Sequence, residues 1–377
     1  MAQLDQNRLV AKEVALGVVR ESALLPEDHI GLRSIAPFQS VESDDVIFDY
    51  VQGLVTGLAP ARAEDSESEL SQKDETVGTG RAAIIDWAIK DHYDPSDISR
   101  FREAFLLGQT AGVENFPLTV RNMRDGFQQR LDRDTLVRRR KLDNRLEWLV
   151  MQALETGHVA YNDSKIIFDV DFQRPTVQTN ASVTVTWDSN SADPIHNWVD
   201  VIDYMWDTYR VRMGTVIVSD KIVRNVLNSD KFAARSGLAV VGGPSAGEID
   251  PRYIIDGWGI EAAMAVLQRA TGLNVVRYNS VYRTRPLGST TPVNHPFLDE
   301  TKCIFLPQIS DVNAFDDTIG FAKTLTSPHP EGNWTSGFYE WEKDTGPDPW
   351  GYDRGNGIKA FPVFPHLELS YVLKVLE

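Results

Sequence analysis

The sequence predicts an α+β protein organised around one unusually long helix. Apolar residues recur at helical spacing from Met123 to Leu154, and the stripe stays nearly in phase throughout. Strict alternation of apolar and polar residues then takes over in 166–172, which is the period of a β-strand. A further succession of helices and strands begins at Asp193, so a second core of mixed class is expected.

Size and charge restrict the function before any motif is considered. The chain has 377 residues, 42% of them hydrophobic, which is enough for about two or three domains. Its formal net charge of -16 opposes a polyanionic partner, because nonspecific nucleic-acid binding depends on cations that displace phosphate counterions. We therefore expect DNA to be contacted nonspecifically at most.

The ends and the single cysteine indicate a cytoplasmic product. Charged residues such as Asp5, Arg8 and Lys12 interrupt the N-terminal apolar residues, so no signal peptide and no membrane span are expected. Cys303, the only cysteine, excludes an internal disulfide framework. Since it lies in an apolar run, we interpret it as a small buried hydrophobe.

An arm and a long hairpin are predicted to open the chain. Residues 1–44 carry one modest amphipathic stretch and then stop signals, so they are interpreted as an arm. Strand patterns follow in 45–52 and, as its expected partner, in 82–90. Between them, 57–80 has almost no large apolar residue and cannot bury itself against its own chain. Its acidic residues are Glu64, Asp65, Glu67, Glu69, Asp74 and Glu75.

The strongest helix signal comes next. After Pro95 a short helical segment is expected, and Pro117 then offers a good first helical position. A helix from Pro117 to Gly157 would be about 60 Å long at about 1.5 Å per residue, with Gly126 as the expected bend. That length exceeds what a common globular helix needs.

A hairpin and a second core complete the predicted fold. The alternating strand 166–172 is expected to pair with 183–187. Asp193 and Pro194 cap a helix over four turns. The later predicted elements are a strand at 215–218, a helix opened by Ser219, a helix from Gly257 to Ala270 closed by Gly272, and strands at 275–282 and 303–307.

The chain is predicted to finish in a docked strand. Residues 367–375 alternate apolar and polar side chains almost to the last residue, so this terminus must be buried. Pro362 and Pro365 indicate a sheet edge or a bend just before it, because proline cannot donate to a ladder.

No catalytic, cofactor-binding or metal-binding residue is predicted, and no cofactor is expected. The glycine-rich 240–248 lacks the Lys and Ser or Thr of a phosphate loop and is interpreted as a turn. Asp316–Asp317 and Asp348 with Asp353 do not match a calcium loop and are interpreted as solvated. The histidines lack metal-ligand spacing; they are His29, His92, His158, His196, His295, His329 and His366. No G-x-S-x-G nucleophile elbow occurs.

Two clusters leave alternatives open. The basic run Arg138–Lys141 on the long helix could face water, DNA or an acidic partner. The aromatic residues interleaved with Gly and Pro in 333–352 could stack sugars or bases, although packing of a long loop is favoured. They are Trp334, Phe338, Tyr339, Trp341, Trp350 and Tyr352.

The order of these elements resembles the major capsid protein E family of lambda-like phages. The resemblance rests on Val137–Lys141 running into Leu146–Met151, then on the alternating strand 166–172, then on 215–220 opening a helix. It implies a Hong Kong 97-type capsid fold with an N-terminal arm, an extended E-loop hairpin, a P-domain with a long spine helix, and an A-domain. The implied boundaries are 1–44 for the arm, 45–94 for the E-loop hairpin, 95–192 for the P-domain, 193–346 for the A-domain, and 347–377 for the return to the P-domain.

The resemblance also implies a structural role and not an enzymatic one. The chain would assemble with itself into hexamers and pentamers of an icosahedral head around double-stranded DNA. Scaffolding protein, portal and any decoration protein would be separate chains, with assembly in the host cytoplasm and the product in the virion capsid. The alternatives are an α/β enzyme with an unrecognised site and a soluble carbohydrate-binding protein.

Charge suggests how neighbouring subunits would meet. Because 57–80 cannot bury itself, we predict that it holds a neighbouring subunit. Its acids are predicted to pair there with a basic surface, for which Arg138, Arg139 and Arg140 are the densest candidates.

Overall fold

The computed structural model describes most of the chain, in ten ranges. They are 19–20, 28–52, 76–94, 118–162, 166–227, 229–235, 252–285, 291–315, 319–345 and 351–377. The predicted helix after Pro95, the glycine-rich turn at 240–248, Asp316–Asp317, and most of the polar excursion lie outside these residues.

The elements of the described residues follow in chain order. The helices are α1 (Leu118–Thr156), α2 (Thr176–Thr179), α3 (Pro194–Tyr209), α4 (Asp220–Leu227), α5 (Asp230–Arg235), α6 (Arg252–Thr271) and α7 (Ile309–Phe315). The strands are β1 (Phe38–Ser40), β2 (Asp45–Gln52), β3 (Thr76–Ala83), β4 (Asp86–Tyr93), β5 (His158–Asn162), β6 (Ile167–Asp171), β7 (Ala181–Ser182), β8 (Met213–Val218), β9 (Asn274–Arg277), β10 (Val281–Thr284), β11 (Val293–Pro296), β12 (Lys302–Pro307), β13 (Lys323–Thr326), β14 (Pro328–His329), β15 (Thr335–Ser336), β16 (Phe338–Asp344), β17 (Tyr352–Val363) and β18 (Tyr371–Lys374). A π-helical turn occupies Gly31–Ile35.

The long helix is confirmed as one element. α1 has 39 residues and continues through Gly126. It ends at Gly157, whose φ of 83° lies in the left-handed region that favours glycine at a helix C-terminus. One face of the helix is buried, beginning at Leu131. Its residues in the larger of the two hydrophobic cores are Leu142, Leu146, Leu149, Val150, Met151, Ala153 and Leu154.

A five-stranded sheet packs against this helix. Its order is β1-β13-β17-β16, and β4 also pairs with β17. Two glycines of β17 face aromatic rings on β16: Gly355 is paired with Trp341, and Gly357 with Tyr339. A Cβ atom at either glycine would overlap the opposite ring, so the close approach of ring to backbone requires glycine.

A second five-stranded sheet carries the second core. Its order is β7-β18-β12-β8-β9, with β18 and β8 antiparallel to β12. The helix cap at Asp193 is confirmed, because its side chain accepts the N–H of His196 at 3.2 Å. Ser219 caps α4 in the same way by accepting the N–H of Ile222 at 3.3 Å. Cys303 is fully buried in this core, as predicted.

The C-terminal residues join the two sheets. β17 belongs to the sheet under α1, whereas β18, eight residues later, lies inside the second sheet. Val375 and Leu376 are 0% and 1% exposed, so the predicted docking of the terminus is confirmed. β18 is shorter than the strand predicted for 367–375, because a 3-10 turn at Leu367–Leu369 precedes it. Pro362 lies within β17, opposite Thr324.

Two predicted strand pairings are wrong. The partner of β2 is β3, which begins at Thr76, while most of the predicted partner 82–90 forms β4 in the central sheet. β6 pairs with β5 and not with 183–187, because β5 ends only five residues before β6 begins and the two form a local hairpin. The N–H groups of Val183 and Trp187 instead donate to the backbone of Lys374 and Val375.

The single strand predicted for 275–282 is divided into two strands. β9 ends at Arg277 and β10 begins at Val281, with the buried Tyr278 between them. Its ring packs against Phe297 with centroids 6.4 Å apart. The aromatic side chain therefore interrupts the strand by turning into the larger core.

Candidate functional site: the charged faces of the long helix

The run Arg138–Lys141 divides between the core and the surface. Arg138 and Arg139 are 0% and 4% exposed, whereas Arg140 and Lys141 are exposed. The prediction that Arg138 and Arg139 face water or a neighbouring subunit is therefore wrong. They point to the same side of α1 as Leu142 and Leu146, and a buried cation needs partners.

Arg138 bridges α1 to the central sheet. Its guanidinium donates to Asp91 at 2.7 Å on β4 and to Asn356 at 2.9 Å on β17. The guanidinium also donates hydrogen bonds to the Thr135 hydroxyl at 3.0 Å and to the Tyr93 hydroxyl at 3.3 Å. Burial alone lowers the pKa of Arg138, but the bonds to Tyr93 and Asp91 outweigh it and raise the pKa. Arg138 is thus a charged cross-link between helix and sheet.

Arg139 ties the N-terminal arm to the same helix. It pairs with Asp143 one turn later at 3.2 Å and donates to the carbonyl of Val19 at 2.9 Å. Its guanidinium also lies 3.0 Å from the centroid of the Phe338 ring, a cation–π contact. Burial lowers the pKa of Arg139 and raises that of Asp143, and their mutual attraction opposes both shifts.

Glu147 joins three parts of the molecule. Its two carboxylate oxygens accept the N–H groups of Gly31 and Leu32, both at 2.9 Å, at the start of the π-helical turn. The Tyr278 hydroxyl donates to the same carboxylate at 2.8 Å. Burial raises the pKa of Glu147, although these three donors oppose the shift. One carboxylate therefore fastens the arm, α1 and the segment between β9 and β10 together.

Arg174 satisfies the C-terminal end of α1. It donates to the carbonyls of Leu154 at 2.6 Å and Glu155 at 2.9 Å, which have no partner within the helix. It also reaches Ser370 at 3.2 Å, just before β18. Burial lowers the pKa of Arg174 to about 10. A positive charge here also opposes the negative end of the helix dipole.

Charged side chains continue along β17. Arg354 is 2% exposed and forms ion pairs with Glu340 and Glu342 on β16. Asp353 receives Lys90 at 2.5 Å and His92 at 2.7 Å, and these bonds lower its pKa. The interpretation of Asp353 as a solvated loop residue is therefore wrong, since it is a strand residue paired with β4.

The exposed half of the basic run lines a groove of about 650 Å³. The groove lies between α1 and the β10–β11 hairpin. None of the described residues that line it is acidic; they are Val137, Arg140, Lys141, Asn144, Arg283, Thr284, Arg285 and Pro292. The helix half of this site is visible in the sequence as a basic run, whereas Arg283 and Arg285 lie opposite that run only in the tertiary fold.

The aromatic segment is mainly a packing element. Phe338, Tyr339 and Tyr352 are 6%, 2% and 3% exposed, which agrees with the favoured interpretation. Trp334 is the exception, with 74% of its surface exposed, and Trp350 lies outside the described residues. Within the described residues, no group of three or more His, Cys, Asp or Glu is arranged to hold a metal ion. No helix in those ranges is long and apolar enough to cross a bilayer.

Comparisons with known proteins give the family and the fold. The phage major capsid protein E family matches residues 27–317. No curated protein matches the chain. In three dimensions the chain is similar to a prophage capsid protein of Escherichia coli CFT073, with a TM-score of 0.60, 12% identity, and 97% and 99% of the two chains covered.

Two other solved structures are similar at lower scores. A phage-related protein of Bordetella bronchiseptica RB50 has a TM-score of 0.48 and 11% identity, with 97% of each chain covered. The mature capsid of bacteriophage PhiM1 has a TM-score of 0.40 and 11% identity, with 91% of this chain and 86% of that chain covered. With most of its length matched by the family, this chain belongs to the phage major capsid protein E family and is a structural protein of the virion capsid with a Hong Kong 97-type fold.

Proposed function

We propose that this protein forms hexamers and pentamers that close into an icosahedral phage head around double-stranded DNA, and that assembly takes place in the host cytoplasm. Family membership carries the proposal. The buried ion pairs support it further, because Arg138, Arg139 and Glu147 hold arm, helix and sheets in fixed relation. A subunit that must repeat the same contacts around a shell needs such a fixed geometry.

The proposed domains follow the predicted boundaries except where strand pairing differs from them. The arm is 1–44, the E-loop hairpin is 45–83, and the P-domain contains α1 together with β4, which pairs with β17. The A-domain is proposed to begin at Asp193. Pairing of β13 and β16 with β17 supports assigning 323–345 to the P-domain together with β17, so that the A-domain ends before β13, whereas β18 pairs with β12 in the second sheet.

The hairpin supports contact between subunits. Among the described residues, β2 and β3 pair only with each other, over eight residues. A two-stranded ribbon is marginally stable alone in water and needs a surface to pack on. We propose that a neighbouring subunit supplies that surface, and that scaffolding protein, portal and any decoration protein act as separate partners.

Electron microscopy tests the proposal directly. The purified protein, expressed with and without its scaffolding protein, should form closed shells or ring-shaped capsomers in negative stain. A variant lacking 57–75 should remain folded by circular dichroism and fail to form shells. A purified wild-type protein that stays monomeric under both conditions would contradict the proposed assembly.

A further inference from the structure

The basic groove between α1 and the β10–β11 hairpin is built from two facing rows of cations. Val137, Arg140, Lys141 and Asn144 follow one another at helical spacing, so their side chains share one face of α1. Arg283 on β10 and Arg285, just after the end of that strand, both line the groove from the hairpin side. An acidic chain thus concentrates four cations around one depression of about 650 Å³.

The hairpin wall of the groove is held in place by its own side chains. Arg283 donates to Asn294 across the strand pair at 3.0 Å. Thr284 and His295 are hydrogen-bonded at 2.9 Å, and the His295 ring stacks on Tyr282 with centroids 5.3 Å apart. This wall therefore needs little reordering when a ligand binds, which favours affinity.

The opposite wall keeps its charge available. Arg140 and Lys141 have no ion pair within the described residues, although Arg138 and Arg139 beside them are fully engaged. Like charges facing one another across a groove repel, so an anionic occupant would relieve the repulsion. Val137, 44% exposed at the edge, adds an apolar contact for the same occupant.

We propose that this groove receives the acidic segment 64–75 of a second copy of the chain, an inference that rests on the proposed function. The segment contains Glu64, Asp65, Glu67, Glu69, Asp74 and Glu75 and so offers a run of anions to the two cationic rows. Each subunit carries one groove and one such segment, so every copy in a shell can both give and receive the contact.

Nucleic acid fits the groove less well than this segment. With 54 acidic and 38 basic residues, the rest of the chain repels phosphate, and four cations supply few counterion-releasing contacts. Among the described residues the β2–β3 ribbon pairs with no other strand, and its eight paired residues span about 27 Å at about 3.4 Å per residue. Such reach suits a neighbouring subunit.

Charge reversal and mixing test the pairing. The groove variant carries Arg140→Glu and Lys141→Glu, and the segment variant carries Glu64→Lys, Asp65→Lys, Glu67→Lys and Glu69→Lys. The control carries Arg224→Glu and Lys231→Glu, which changes net charge as the groove variant does but at exposed sites elsewhere. Either test variant should raise the lowest concentration that yields shells by roughly tenfold, and the control should not.

Mixing the two test variants identifies the partner. In the mixture the reversed groove of one chain meets the reversed segment of the other, and the unaltered groove meets the unaltered segment. Shell formation should therefore recover towards wild type. If the mixture stays as poor as its components while a single chain carrying both reversals recovers, the segment binds its own groove and the second-copy proposal is overturned. A groove variant that assembles normally also overturns it; if that variant has lost affinity for a double-stranded oligonucleotide, the groove is a nucleic-acid site.

A binding measurement keeps the proposal separate from shell formation. A fluorescent peptide spanning 60–78 is titrated into the full-length chain and followed by anisotropy. Wild type and control should bind it with an affinity that falls with salt, and the groove variant should bind at least about tenfold more weakly. Equal binding by all three proteins overturns the pairing. Absence of shells from wild type and control alike would contradict the proposed assembly instead, and the peptide result would still decide the groove.

Discussion

Replacing Glu147 with alanine tests whether one carboxylate fastens the arm to the helix. The substitution leaves the N–H groups of Gly31 and Leu32 and the hydroxyl of Tyr278 without their acceptor. Each buried unsatisfied donor costs about 1–3 kcal/mol. Removal of a carboxylate whose burial is itself unfavourable offsets part of that sum, so we expect a loss of about 3–5 kcal/mol.

Hydrogen exchange and denaturation measure the two parts of this effect. The amide protons of Gly31 and Leu32 should exchange much faster in Glu147→Ala than in wild type. Urea denaturation should give a lower free energy of unfolding. Glu300→Ala is the matched control, because that carboxylate is exposed and its removal should change neither quantity. Unchanged protection of the Leu32 amide in Glu147→Ala would refute the role assigned to this residue.

Glu147→Gln separates hydrogen bonding from volume and predicts a pH dependence. One amide oxygen can still accept from Gly31 and Tyr278, but the amide nitrogen then faces the N–H of Leu32, so a smaller loss of about 1–2 kcal/mol is expected. Burial raises the pKa of Glu147 above its ordinary 4.5, so the folded state binds this proton more tightly than the unfolded chain. The resulting stability is fully present below pH 4.5 and is lost as pH rises through the raised folded-state pKa. Glu147→Gln should remove this part of the pH profile.

Three further substitutions test the central sheet and its contact with α1. Arg138→Met should cost about 3–5 kcal/mol in urea denaturation, because it strands Asp91 and Asn356, whereas Arg140→Met should stay within about 0.5 kcal/mol of wild type. Lys90 and His92 hold the pKa of Asp353 below 3.8 in the folded state. The contribution of Asp353 to the free energy of unfolding is therefore present above pH 3.8 and is lost as pH falls through the lower folded-state pKa. Asp353→Asn should remove this part of the dependence of stability on acid pH. Gly357→Ala should lower the melting temperature, with a destabilisation of about 1–3 kcal/mol, because the new methyl group overlaps the Tyr339 ring. Adding Tyr339→Leu in the same chain should recover part of the lost stability. If the two losses simply add, the packing argument is contradicted.

Local patterns predicted the elements well because their causes are local. α1, the Asp193 cap and the buried C-terminus all follow from side-chain spacing within a few turns. Strand partners depend on how distant segments meet, which spacing does not encode. The pairing of β2 with β3 was missed because β3 contains Gly78 and Gly80 and few apolar residues, so it lacks the alternation that marks a half-buried strand.

Only the helix side of the groove could be predicted, because local spacing does not encode which distant segments meet. Arg140 and Lys141 form a visible charge run, whereas Arg283 and Arg285 are ordinary surface residues until the hairpin folds back to α1. The buried ion pairs had no sequence signal of their own, since Asp91, Asn356 and Tyr278 lie far from their partners along the chain.

A signal for the burial of Arg138 was nevertheless present in the helix period. Arg138, Leu142 and Leu146 follow one another at intervals of four residues, so Arg138 lies in line with the apolar stripe that marks the buried face of the helix. Arg140 and Lys141 fall between the members of that stripe and point away from it. A cation in phase with a buried stripe must find an anion inside the protein, since an unpaired charge there is too costly. The helix period thus sorts this basic run into two halves: Arg138 and Arg139 fix the helix to its own subunit, and Arg140 and Lys141 keep their charge available for a neighbour.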